Sequence, residues 1–298
     1  MALRRREASN GLTDEQRSAL RSLVASPKFE LIPLSNALDR AESLPPGVTV
    51  TVTASPSHGI EATFDLAEDV AARGHEAIPH ISAHMIRGRD HLRELLQRAH
   101  DTGIRGAFVV GGDAKDRGEF HDGLSLLRAM DELGHPFLQI GVPAYPEGHP
   151  DIPDDVLLAT LVEKQRYASY MATQMCFNPS AIATWIAVLR SQGITLPVHL
   201  GVPGVAEIAK LMRVAARIGV ANSARYLKKN RKIVGHLLSP GSFGPDALLE
   251  GLGSTVADPI AAIQRLHVFT FNEVGATVAW QQRMLDALVD DEVEQAEA

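Results

Sequence analysis

The stretch VTVTVTASPSHGIEATFDLAEDVAARGHEAIPHIS, residues 48–82, decides the fold. It opens with alternating valine and threonine and closes with the apolar run EAIPHIS, and short runs of this composition favour strands. Between them, IEATFDLAEDVAARG places apolar residues three and four positions apart and stops at Gly74, which predicts an amphipathic helix. A strand, a helix and a second strand make one βαβ unit of a parallel sheet.

The same alternation continues along the chain in both directions. The strand-like runs are FELIPL from Phe29, VTVTVTAS from Val48, EAIPHIS from Glu76, GAFVVGG from Gly106, PFLQIGVPAY from Pro136, SYMATQM from Ser169, LPVHLGV from Leu196 and LHVFTF from Leu266. Eight alternations of strand and helix predict an α/β protein built as a closed (β/α)8 TIM barrel. An open doubly wound sheet is disfavoured because no GxGxxG turn follows the first strand.

The chain of 298 residues is long enough for one such barrel with short additions at its ends. A (β/α)8 barrel commonly takes about 250 residues, and we expect a single catalytic barrel over residues 28–290. Residues 1–27 are expected to form a helical extension that plugs or flanks the barrel bottom, because Thr13 and Gln16 have capping-box spacing. Residues 291–298 are expected to be a frayed acidic tail.

Composition narrows the classes of function. The formal net charge is -7, which disfavours binding to nucleic acid. No apolar run reaches 18 residues, so we predict no membrane span, and no apolar segment of a signal peptide follows MALRRRE. The lone Cys176 lies in an apolar run and is expected to be a buried structural thiol in a reducing compartment. We therefore expect a cytoplasmic protein.

Two features precede the last predicted strand. Residues 237–258 are rich in glycine, proline and serine and indicate an insertion. Lys228, Lys229, Arg231 and Lys232 form a basic group that could contact a phosphate or a polyglutamate tail, although such a pattern usually means a solvated helix face. No pattern in the chain indicates an oligomeric state.

Catalytic side chains of these barrels project from the carboxyl ends of the strands. The polar residues at or just after the predicted strand ends are Glu30, Thr53, His80, Asp113, Tyr145, Glu147, His149, Gln174 and Asn272. Inside the barrel the Glu30 carboxyl would be poorly solvated and would hold its proton more tightly, which suits a general acid. The alternative is that Glu30 points outward or pairs with a barrel arginine.

Two other segments carry groups suited to a flat ligand. Asp113 ends the run VVGGD, where the glycines let the backbone approach a ring closely, although glycine followed by aspartate is also a common turn. The loop AYPEGHP carries Tyr145, Glu147 and His149, which could hydrogen-bond a cofactor or form a rigid turn. Two possible ligands without a clear third are weak evidence, so we predict no metal site.

Two polar residues stand inside apolar runs. A lone histidine in a strand, such as His80, is more often a core group than a ligand. The amide of Gln174 can donate to and accept from a heteroaromatic ring, or bond to backbone instead.

Taken in order, these runs resemble the methylenetetrahydrofolate reductase family from about Phe29 to the last strand. The matching landmarks are FELIP, VTVTAS, PHIS, GGD, AYPEGHP and ATQMCF, of which the YPEGHP loop is the most specific. The family is a flavin-containing TIM barrel that reduces 5,10-methylenetetrahydrofolate to 5-methyltetrahydrofolate with NADH or NADPH. The resemblance thus implies a small-molecule folate substrate and FAD.

The resemblance also implies roles for individual residues. Glu30 would be the acid that helps open the methylene bridge, Asp113 would lie near the flavin and the pterin, and Gln174 would orient the pterin. The residues expected at the cofactor are Thr53, His80, Gly112, Asp113, Tyr145, His149 and Lys164. Asn272 is expected to contact the substrate.

Three positions depart from the family pattern. Gly111 replaces the arginine of the family's RGD, Lys164 has an acidic neighbour in Glu163, and Glu273 stands where arginine commonly follows asparagine. A flavin diphosphate needs positive charge or free amides, so direct hydride transfer from NADH or NADPH without flavin stays open. A folate-binding or partner-binding barrel without turnover is the alternative from outside the enzymes.

Overall fold

The computed structural model describes residues 11–217, 242–243 and 245–289. The predicted acidic tail and the basic group around Lys228 lie outside these residues, as do the first ten residues and part of the predicted insertion. Within the described ranges, no helix has both the length and the apolar character needed to cross a lipid bilayer.

Eight parallel strands close into a barrel. They are β1 (Lys28–Leu31), β2 (Thr49–Val52), β3 (Glu76–Ser82), β4 (Gly106–Val110), β5 (Gln139–Ala144), β6 (Tyr170–Thr173), β7 (Val198–Pro203) and, after a small antiparallel pair of β8 (Ala206–Glu207) and β9 (Ser242–Phe243), β10 (Ile263–Phe269). Each barrel strand overlaps one of the predicted runs, and the ring closes where β1 pairs with β10. The predicted (β/α)8 barrel is confirmed.

Helices connect the strands and form the outer layer. They are α1 (Asp14–Ala25), α2 (Ala37–Ala41), α3 (Gly59–Ala72), α4 (Arg89–Asp101), α5 (Gly123–Leu133), α6 (Asp154–Lys164), α7 (Pro179–Ser191), α8 (Ile208–Arg217), α9 (Asp246–Gly251), α10 (Gly253–Ala257) and α11 (Val274–Ala287), with a 3-10 turn at Ala83–Met85. The predicted insertion therefore contains α9 and α10 and is not a plain loop.

The leading helix lies beside the amino-terminal ends of the strands. It starts at the expected capping box, in which Thr13 and Gln16 each bond the other's backbone N–H. α1 packs against α10, α11 and β10. Its end is held by Gln281, which donates to the Val24 carbonyl at 2.9 Å. These contacts join the first and last helices at the barrel bottom and leave the opposite end free for a site.

Side chains alternate between the two faces of each strand. Phe29 and Leu31 point outward and are fully buried in the main apolar core against the helices. The inward positions instead hold a small apolar cluster of Ile78, Phe108, Tyr170 and Ala172. Around that cluster the interior carries polar side chains, which define the site.

Candidate active site

A pocket of about 1250 Å³ opens at the carboxyl ends of the barrel strands. Its walls come from the segments after β2, β3, β4 and β5 and from α6 and α7. Every residue expected at the cofactor lines this pocket: Thr53, His80, Gly112, Asp113, Tyr145, His149 and Lys164. The structure thus brings together seven side chains or backbone groups that the sequence spreads over more than one hundred residues.

The backbone at Gly112 passes very close to the end of β3. Gly112 has φ of 93°, and a Cβ at this position would lie 2.0 Å from the Ser82 hydroxyl oxygen. Only glycine fits this combination of left-handed backbone and close approach. The turn exposes Asp113 at the pocket rim, where its carboxylate is accessible to a ligand.

The YPEGHP loop forms another wall of the pocket. Gly148, with φ of 78°, donates its N–H to the Tyr145 carbonyl and closes a turn. The turn brings the rings of Tyr145 and His149 together edge to face, 5.2 Å apart. Burial raises the pKa of Tyr145, so its hydroxyl keeps its proton and is a hydrogen-bond donor at neutral pH.

Negative charge dominates the pocket lining. Among the lining residues that the structure describes, the charged ones are Lys164 and four carboxylates, those of Asp113, Asp122, Glu147 and Asp154. Burial lowers the pKa of Lys164, an effect that nearby Asp122 opposes. The Asp122 side chain also accepts the Ser125 N–H and so occupies the first turn of α5. This lining suits a neutral or cationic ring better than a diphosphate.

The other departures from the family pattern lie outside the pocket lining. Glu163 turns away from the cavity and pairs with Arg128 at 3.3 Å. Glu273 pairs with Lys210 at 3.6 Å. The net negative charge of the pocket lining therefore comes from residues other than Glu163 and Glu273.

Cys176, which is not one of these departures, is buried as expected.

Glu30 lies inside the barrel mouth next to two histidines. Its Oε2 is hydrogen-bonded to His267 Nε2 at 2.9 Å and lies 3.9 Å from His80 Nε2. The Glu30 side chain is 14% exposed. The inward orientation excludes both alternatives of the sequence, an outward side chain and a pairing with arginine. Glu30 is not itself among the residues that line the pocket, whereas its neighbour His80 is.

His80 is a neutral base at physiological pH. Burial lowers its pKa to about 4, partly offset by the Glu30 charge, while His267 lowers it further. Its Nε2 is buried and makes no hydrogen bond within the described part of the chain. This ring is therefore a polar group between Glu30 and the pocket rather than a satisfied core histidine.

A second polar layer, which the sequence analysis did not single out, lies beneath Glu30. Lys28 is fully buried, with Nζ 3.9 Å from the centre of the Tyr170 ring, and burial lowers its pKa to about 7. His199 stacks on the Tyr170 ring, and the centres of the two rings lie 3.9 Å apart. The sequence signal for this layer is the pair of charged residues Lys28 and Glu30, two positions apart on β1.

Three ligand-type atoms, one each from Glu30, His80 and His267, lie within 4.8 Å of one another. Two histidines and a carboxylate form a donor set used by transition metals. A metal-bound histidine normally donates its second N–H to an acceptor, whereas His267 Nδ1 has no partner among the residues that the structure describes. The short contact between His267 and Glu30 suits proton handling better than metal binding.

All of the residues expected to contact the cofactor line the pocket, but not all of those expected to contact the substrate do. Gln174 directly follows β6, where its N–H donates to the Ala144 carbonyl. Asn272 is buried with φ of 62°, and its amide bonds both the N–H and the carbonyl of Ile32. Neither residue lines the pocket. Asn272 therefore fastens the chain after β1 to the chain after β10.

Known proteins provide an independent comparison. Residues 17–283 match the family model for methylenetetrahydrofolate reductase. Methylenetetrahydrofolate reductase 1 of Schizosaccharomyces pombe is 26% identical over 186 residues, which are 59% of this chain and 30% of that protein. The 5,10-methylenetetrahydrofolate reductase of Pectobacterium carotovorum is 31% identical over 121 residues, 40% of each chain. The match therefore spans less than half the length of these relatives.

A solved structure shows the same fold. It is an uncharacterized protein from Clostridium thermocellum that binds two copies of 5-methyl-5,6,7,8-tetrahydrofolic acid, with a TM-score of 0.56 at 12% identity over 91% of this chain and 97% of that one. At this identity the likeness concerns the barrel alone. The family match, by contrast, covers most of the chain together with the strand-end residues of the pocket. This chain belongs to the methylenetetrahydrofolate reductase family.

Proposed function

We propose that this protein reduces 5,10-methylenetetrahydrofolate to 5-methyltetrahydrofolate with NADH or NADPH, using Glu30 as the general acid. The observation that carries the proposal is the Glu30 carboxyl inside the barrel mouth, held by His267 and lying 3.9 Å from His80, which lines a large pocket. Family membership supplies the reaction class, because the matched region contains all of these residues.

The chemistry needs one proton and one hydride. The methylene carbon of the substrate bridges two nitrogens, and protonation of one nitrogen by Glu30 breaks its bond to that carbon. The remaining nitrogen and the carbon form an iminium ion, which accepts hydride at the carbon to give the methyl group. General acid catalysis of this kind contributes about 10²- to 10⁴-fold to a rate. The accessible carboxylate of Asp113 would stabilise the cationic iminium.

The described part of the pocket lining does not fit a resident flavin dinucleotide well. A tightly held diphosphate needs positive charge or free amides, and the described residues that line this pocket offer one half-buried lysine against four carboxylates. A nicotinamide substrate has to bind only during turnover and can leave its phosphates in solvent. Direct hydride transfer from the nicotinamide to the iminium carbon is therefore our second candidate, and the lining charges favour it over the flavin route.

Two measurements on the purified protein test this pair of proposals. Oxidation of NADH or NADPH that depends on 5,10-methylenetetrahydrofolate, with 5-methyltetrahydrofolate as product, is expected. An active protein without absorbance near 450 nm supports direct transfer, and an active protein with stoichiometric flavin absorbance supports the flavin route. Intact folate binding without turnover would contradict the reductase proposal and would support a folate-binding barrel without enzyme activity.

A further inference from the structure

The contact between Glu30 and His267 joins the first and last strands of the barrel. β1 and β10 are neighbours, with Lys28 paired to His267 and Glu30 paired to Phe269 in the register. Both side chains point inward, and His267 is 1% exposed. Their 2.9 Å hydrogen bond therefore forms in a space largely shielded from water, where such a bond is stronger than at a surface.

The His267 ring has little freedom to move. The centre of the Phe269 ring lies 5.1 Å from that of His267, and the centres of the Phe108 and His80 rings lie 5.8 Å and 6.0 Å away. Nδ1 of His267 is buried and has no partner in the described residues. Nε2 is thus the ring nitrogen that acts on another group, and that group is Glu30.

We propose that His267 is a positioning residue that fixes one oxygen of the Glu30 carboxyl and so directs the acid toward His80 and the pocket. The inference rests on the proposed function of Glu30 as general acid. When Glu30 gives its proton to the bridging nitrogen of the substrate, the carbon–nitrogen bond breaks and a carboxylate remains. His267 Nε2–H then donates to that carboxylate, and a proton from solvent restores the acid before the next turnover.

Geometry explains why such a residue matters for rate. A catalytic group displaced by about 1 Å can lose about 10²-fold in rate. Without the hydrogen bond to His267, the Glu30 side chain would populate several rotamers, each with a different distance from the carboxyl to the substrate. The hydrogen bond to His267 selects one of them, which predicts an effect on kcat and a small effect on substrate binding.

Two amide variants separate the two nitrogens of the ring. The side-chain nitrogen of glutamine in His267→Gln can replace Nε2 and donate to Glu30, whereas that of asparagine in His267→Asn corresponds to Nδ1 and falls short. We expect His267→Asn to lose about 10- to 100-fold in kcat with KM for the folate nearly unchanged, and His267→Gln to retain most of the kcat. Equal kcat values for the two variants would overturn the proposal.

His199→Gln is the matched control. His199 is also a buried histidine on a neighbouring strand, but it stacks on Tyr170 rather than bonding to Glu30. We expect it to keep the wild-type kcat even if its unfolding temperature falls. An equal loss of kcat in His199→Gln and His267→Asn would mean that the interior packing matters and that positioning does not.

One further readout does not need turnover, and so separates failure of this inference from failure of the proposed function. In protein labelled with ¹⁵N-histidine, Glu30→Gln should shift the Nε2 resonance of His267 and leave that of His199 nearly in place. An unchanged His267 resonance would exclude the contact in solution, whether or not the wild-type protein reduces methylenetetrahydrofolate.

Discussion

At the scale of single residues, Gly112 shows how closely the chain is fitted at the pocket. Its left-handed backbone and its approach to Ser82 each exclude a side chain. Gly134 offers a comparison, because it has φ of 75° with no heavy atom within 4 Å of a built Cβ. A side chain added at Gly112 would therefore be strained and would clash with Ser82, whereas a side chain added at Gly134 would be strained only.

We expect Gly112→Ala to destabilise the protein more than Gly134→Ala. The backbone term alone is about 1–2 kcal/mol at either site, and overpacking against Ser82 adds about 1–3 kcal/mol at Gly112. Unfolding in urea measures both free energies. If Gly112→Ala cost no more than Gly134→Ala, the close approach of the Gly112 backbone to Ser82 at the end of β3 would be wrong.

The contact of His267 with Glu30 could not be predicted from the sequence, for a physical reason. The contact joins residues 237 positions apart in the chain, and only closure of the barrel brings them together. Local periodicity indicates which residues of a strand share a face, but neither which face points inward nor which residue lies on the paired strand. The inward direction of Glu30 is therefore given by its contacts with His267 and His80 in the structure.

At the scale of elements, the strands and their order were accessible from the sequence because each is a short β-branched or apolar run. The residues expected at the cofactor also came together, since strand ends meet at one edge of a barrel. Asn272 did not join the pocket, because the left-handed backbone at its position turns its amide onto Ile32. Strand-end position alone therefore does not separate a binding residue from one that holds the backbone.

The capping box of α1 provides a prediction for an element. Thr13→Ala removes the acceptor for the Gln16 N–H, and loss of such a cap costs about 1 kcal/mol. Because α1 contacts α10, α11 and β10, we expect a lower unfolding temperature without a change in substrate affinity. Thr13→Ser, which keeps the hydroxyl, is the control and should be close to wild type. A stable Thr13→Ala protein would mean that α1 adds little to the barrel.

At the scale of the whole molecule, a barrel interior with several buried bases makes stability depend on pH. Burial lowers the pKa of Lys28 to about 7, of His80 to about 4 and of His199 to about 2. The unfolded chain binds these protons at higher pH than the folded protein does. Acidification therefore favours unfolding, through Lys28 between about pH 10.5 and 7 and through the histidines below about pH 6.5.

We expect the free energy of unfolding to fall as the pH drops from 6.5 toward 4, with each histidine contributing up to about 1.4 kcal/mol per pH unit. Urea titrations at several pH values measure this slope. His199→Gln removes one of the two bases and should make the slope shallower. Burial raises the pKa of Glu250 to about 7, so its proton uptake opposes the histidines in part of this range, and the decisive comparison is between the two slopes. A His199→Gln slope equal to that of wild type would contradict the burial of a neutral His199 inside the barrel.

The most direct test of the account is the rate of NADH- or NADPH-dependent reduction of 5,10-methylenetetrahydrofolate by wild type and by Glu30→Gln. The amide keeps the shape and a hydrogen bond to His267 but cannot donate an acidic proton. We predict that kcat falls by at least about 100-fold while the dissociation constant of the folate stays close to wild type. A Glu30→Gln protein with near-normal kcat would contradict the assignment of Glu30 as the acid.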